Sequence, residues 1–85
     1  MKEFTYKIKD PMGMHARPAG LFVKAAAGFA CNVTVTAPGG KADAKRIMAV
    51  MRLAAKQGDT LTVTCDGADE AKAAADLQAF LAANI

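Results

Sequence analysis

Hydrophobic and polar positions alternate over residues 3–9 of this 85-residue chain, with Phe4, Tyr6 and Ile8 on one side and polar residues on the other. A period of two predicts a strand with one buried face. The alternation returns at 31–37, where Val33 and Val35 point one way and Asn32, Thr34 and Thr36 the other. It is clearest at 60–65, where Leu61, Val63 and Cys65 alternate with Thr60, Thr62 and Thr64. Pro38-Gly39-Gly40 is a turn signal, and the short, charged stretch 41–44 after it predicts a hairpin strand suited to a sheet edge.

Between these strands the period lengthens to that of a helix. Pro18 must sit in a first turn, where its missing N–H has no partner to lose, so a helix is predicted over about 16–27 with His15 as N-cap. Gly28 then reads as a left-handed C′ residue. A second helix is predicted from 46 or 47 to 56, stopped by Gly58, and a third after Asp69 as a capping residue, with Ala73 or Ala74, Leu77, Phe80 and Leu81 at helical spacing. The order is βαββαβα. Every strand keeps a polar face, which predicts an α+β two-layer open-faced sandwich: a four-stranded antiparallel sheet with three helices on one face. The length suits a single domain over residues 1–85.

Composition narrows the function classes. The net charge is +3 and the lysines are scattered without interleaved aromatics, so no nucleic-acid partner is expected. Cys31 and Cys65 are too isolated for a metal site or a disulfide framework, and free thiols in strands behave as small apolar residues. No apolar run is long enough to span a bilayer and no signal peptide is visible, so a cytoplasmic protein without membrane insertion is expected. No metal or organic cofactor is implied.

The candidate chemistry lies in Gly13-Met14-His15-Ala16-Arg17-Pro18-Ala19-Gly20, which contains the one histidine of the chain. An N-cap histidine can aim Nδ1 at the free amides of the first turn. A phosphoryl group on that nitrogen would lie over a helix N-terminus, an anion site formed by Ala16, Arg17 and Pro18. Arg17 adds a guanidinium matched to phosphate oxygens. The same helix end favours a neutral, nucleophilic imidazole.

The second helix carries more apolar surface than one sheet-facing stripe requires. If Val50, Leu53 and Ala54 face the sheet, Met48 and Met51 face outward, with Ile47 at the margin. Such a patch suits docking, with Lys45, Arg46, Arg52 and Lys56 as a basic ring that favours acidic partners. Gly20 in mid-helix costs about 1 kcal/mol against alanine, which close approach by a partner would explain.

The phrase Gly-Met-His-Ala-Arg-Pro-Ala resembles the active-site signature of the HPr family, histidine-containing phosphocarriers of the bacterial sugar phosphotransferase system. The resemblance extends through the order of elements from end to end. It implies a carrier without independent turnover: enzyme I, phosphorylated from phosphoenolpyruvate, donates to His15, and a sugar-specific enzyme IIA domain accepts. It implies catalytic roles for His15 and Arg17 and a partner surface of Gly20, Leu21, Ile47, Met48, Met51, Arg52 and Lys56, on a monomer. The alternative is a regulatory or nitrogen-branch module of the same family that docks other partners. Two positions depart from the pattern. Arg46 stands where many relatives carry a regulatory serine, and the chain has no serine. Met12 stands where a small polar residue is common, and its thioether cannot donate to phosphoryl oxygen.

Overall fold

The computed structural model describes residues Met1–Ile85. The elements are β1 (Lys2–Lys7), α1 (Ala16–Ala27), β2 (Asn32–Ala37), β3 (Gly40–Asp43), α2 (Ile47–Arg52), β4 (Thr60–Asp66) and α3 (Glu70–Asn84). The sheet is wholly antiparallel with strand order β1-β4-β2-β3. Register keeps the two faces distinct: Thr5 pairs Thr62 and Thr62 pairs Thr36 on the open face, while Phe4, Val63 and Val35 align on the other. Val33, Val35, Leu61, Val63 and Cys65 are buried against Ala19, Phe22 and Ala26 of α1, Val50 of α2, and Ala73, Leu77 and Leu81 of α3. The Phe22 and Phe80 rings lie 6.1 Å apart, joining α1 to α3 over this core. The expected α+β sandwich is the observed fold. No helix is long and apolar enough to cross a membrane.

Several boundaries differ from the sequence expectation, each for a tertiary reason. β1 stops at Lys7 because the Ile8 N–H donates to Asp59 O and its carbonyl accepts from Gly58 N–H, tying the chain to the turn before β4. β2 starts at Asn32 because the Cys31 N–H is taken by the Asp69 carboxylate. Gly28 is right-handed (φ −74°), so α1 closes by a tight turn with its N–H on Ala25 O. The largest difference is α2, which ends at Arg52, not Lys56. Ala54 turns into the left-handed region (φ 50°) and is exposed, whereas Leu53 and Ala55 are buried. Ala54 therefore does not face the sheet. The reversal delivers the Ala55 carbonyl to the Met14 N–H, and this long-range bond outweighs the helical preference of the alanines. Close packing accompanies it, since a Cβ at Gly39 would lie 2.5 Å from Leu53 O.

Candidate functional site

His15 is the N-cap of α1, extended (φ −85°, ψ 179°), and its carbonyl accepts from Ala19 N–H at 2.9 Å. Pro18 fixes the first turn but contributes no N–H, so the donors left open at the helix mouth are the amides of Ala16 and Arg17. The imidazole makes no hydrogen bond to them. This corrects the expectation that Nδ1 would cap the helix. The ring instead turns Nε2 toward Asp10, with 3.7 Å between Nε2 and Oδ2. Both side chains are about one-third exposed or less, at 30% and 27%.

The loop before His15 is held from every side. The N–H groups of Lys9 and Asp10 both donate to Ile85 O at 2.8 Å, and Gly13 N–H donates to Asp10 O. Asp10 Oδ1 accepts from Met12 N–H at 2.8 Å, an Asx turn. Met14 N–H reaches Ala55 O at 3.0 Å and the Met14 side chain enters the core. Gly13 is required by two constraints: its φ is +65°, and a Cβ there would lie 2.4 Å from Ala55 O and 2.8 Å from Lys56 Cα. The Met12 side chain is exposed, away from this packing.

Arg17 is exposed and enters none of the ion pairs of the protein, so its guanidinium is free. With Asp10, His15, Pro18 and Leu21 it lines a hollow of about 220 Å³ that Ala83 and Asn84 of α3 complete. A larger hollow, about 780 Å³, lies over the open sheet face among Glu3, Thr34, Thr62, Thr64 and Asp66. It contains no histidine, cysteine or arginine; His15 and Arg17 both line the smaller one.

The structure brings the expected apolar residues of the second helix to the surface: Ile47 is 41%, Met48 62% and Met51 39% exposed, and Leu21 on α1 43%. Gly20 faces Ile47, where an added Cβ would meet Cδ1 at an ordinary 3.6 Å. The basic ring is altered. Lys45 is half-buried and donates its ammonium to Phe29 O at 2.7 Å. Arg46 stands 3.8 Å from Asp43, Arg52 is exposed in the last turn of α2, and Lys56 lies beyond the helix beside Gly13. Asp69 also differs from expectation: its carboxylate does not cap α3 but accepts from Ala30 and Cys31 N–H at 2.8 and 2.9 Å. Those bonds, the Ala30 amide foremost, hold it below the usual carboxylate range. Burial, with Asp69 alongside, pushes the Cys31 thiol up to about 11, so neither it nor the buried Cys65 is a ready nucleophile.

Asp10 is the residue at this site that sequence reading passed over, because it reads as an ordinary turn former. The available signal was an Asx-turn aspartate ahead of the histidine. Its proximity to the ring is set by the turn, not by spacing.

The family model described as "PTS HPr component phosphorylation site" matches residues 2–83. The phosphocarrier protein HPr of Mycoplasma genitalium is 40% identical over 85 residues, covering 99% of this chain and 97% of its own. The HPr-like protein Crh of Halalkalibacterium halodurans is 40% identical over 81 residues, 95% of this chain and 96% of its own. Among solved structures, an HPr from Thermoanaerobacter tengcongensis superposes with a TM-score of 0.92 at 38% identity, covering 98% of this chain and 93% of that one.

Proposed function

This chain belongs to the HPr phosphocarrier family of the phosphotransferase system, and from that premise we propose that residues 1–85 act as one carrier domain relaying a phosphoryl group through His15. Phosphorylated enzyme I presents phosphorus to Nδ1; the bond to enzyme I breaks as the P–Nδ1 bond forms. A sugar-specific enzyme IIA domain then takes the group in a second in-line displacement. The observation that supports this reading is the mouth of α1, where Ala16 and Arg17 amides lack a partner beside the histidine. They and the Arg17 guanidinium stabilise phosphoryl oxygens during transfer. The hollow is small, about 220 Å³, so each partner supplies the rest of the transition-state site. Gly20, Leu21, Ile47, Met48, Met51, Arg52 and Lys56 form the docking surface, with apolar contact at its centre and basic charge at its rim. The carrier works in the cytoplasm as a monomer.

Incubation with enzyme I and labelled phosphoenolpyruvate tests the proposal. Acid-labile, base-stable label is expected on the wild type and not on His15→Ala, and addition of an enzyme IIA domain should discharge it. Label that stays on His15 with every sugar-branch acceptor would instead assign the chain to a regulatory or nitrogen branch.

A further inference from the structure

Asp10 is committed at every polar atom except one. Its N–H is on Ile85 O, its carbonyl accepts from Gly13 N–H, and Oδ1 accepts from Met12 N–H. Oδ2 alone is left, and it faces His15 Nε2 at 3.7 Å. The other charged group at this hollow, Arg17, forms no ion pair with it. We propose that Asp10 is a positioning residue that holds the His15 ring as its Nε2–H tautomer and so keeps the Nδ1 lone pair free for phosphorus.

A carboxylate can only accept, so its charge favours the tautomer with hydrogen on the ring nitrogen that faces it. In a neutral imidazole that leaves Nδ1 bare. The attack then needs no base: the Nδ1 pair forms the bond to phosphorus, the Nε2 hydrogen stays in place, and the leaving pair returns to the donor. The ring that results is a phosphoimidazolium, and the Asp10 charge stands opposite its Nε2–H. In the reverse step the P–N pair returns to Nδ1 and the same neutral tautomer is restored. The 3.7 Å separation is that of a resting site; such contacts commonly shorten when charge develops on the ring. A histidine oriented by a carboxylate through its second nitrogen is a recurrent arrangement in acyl-transfer enzymes and metal sites. Here the carboxylate is fixed by an Asx turn directly before the nucleophile.

This role rests on the phosphocarrier reading for its purpose but not for its test. The chain has one histidine, so ring-labelled ¹⁵N histidine gives an unambiguous two-bond ¹H–¹⁵N spectrum. With the ring neutral, the wild type should show the Nε2–H pattern; a majority of Nδ1–H would overturn the proposal without any variant. Asp10→Asn keeps an acceptor for Met12 N–H but turns an NH₂ toward the ring, and should move the spectrum toward Nδ1–H. Single-turnover transfer from phosphorylated enzyme I should then slow about 10- to 100-fold, and Asp10→Glu should recover part of the loss. Unchanged tautomer and rate in Asp10→Asn would show that Asp10 only builds the turn. Absence of label on a wild type with the Nε2–H pattern would instead refute the relay and leave the orienting role standing.

Discussion

The N-termini of α1 and α3 start from similar material and end in opposite states. Each has a polar N-cap whose side chain makes no capping bond, at His15 and Asp69. At α3 the end is closed by charge: Glu70 occupies the first turn, accepts from Gly67 N–H and pairs with the Met1 ammonium, while Asp69 holds the Ala30–Cys31 amides from 38 or more residues away. At α1 there is no acid in the first turn, so the amides of Ala16 and Arg17, unpartnered like those of Ala71 and Lys72 at α3, have no carboxylate of the helix's own beside them. An anion of either origin satisfies a helix dipole. At α3 the protein supplies that anion from its own sequence; at α1 the proposed relay would bring it with the incoming phosphoryl group.

Substitutions can break this contrast in order of severity. Gly13→Ala should do most, because its Cβ meets the Ala55 carbonyl and the Lys56 backbone, neither of which can swing aside, and the positive φ adds strain. A loss of about 3 kcal/mol in urea-determined stability is expected, with phosphorylation of His15 falling alongside. Arg17→Ala should separate the two properties. Transfer from enzyme I should slow about 100-fold by loss of a charged donor, while the urea midpoint moves by no more than about 0.5 kcal/mol in stability. Equal losses in both would make the arginine structural.

Asp69→Asn should show the reverse separation. An amide can accept from only one orientation, so one of the Ala30 and Cys31 N–H groups faces an NH₂. A lower midpoint and intact phosphorylation are expected. The closed end also sets an acid limit. Asp69 and Glu70 lie below their ordinary values of 3.8 and 4.5, Glu70 mainly through the Met1 ammonium. The unfolded chain therefore binds these protons first, and the stability they confer, present above those values, is lost as pH falls through them toward the folded pKa values. Acid titration of folding should be shallower in Asp69→Asn. The smallest effect is expected from Gly20→Ala. Helix propensity improves and the new methyl meets Ile47 at an ordinary distance, so stability should rise by about 1 kcal/mol. If transfer slows nevertheless, a partner approaches the backbone at that position.

Much of this was legible in the chain. The strand alternation and the His15–Pro18 phrase located the sheet and the first helix within a residue or two, with His15 at its N-cap. What escaped reading was set across space. The second helix was overrun because Leu53 to Lys56 keep a helical composition, while the Ala55–Met14 bond forces the reversal at Ala54. Asp69 reads as a cap because the residues it binds are remote, and Lys45 reads as part of a basic ring because Phe29 O, which takes its ammonium, is on another loop. Asp10 reads as a turn from the sequence, and only the folded turn shows which way its second oxygen faces.

The seat of Ile85 has a practical consequence. Its side chain is buried, its carbonyl pins Lys9 and Asp10, and the adjacent Ala83 and Asn84 wall the hollow around His15. A bulky label or cross-linker attached at Asn84 would therefore stand beside His15 and crowd incoming proteins. Exposed Lys41 and Lys72, which line no part of that hollow, are better points of attachment.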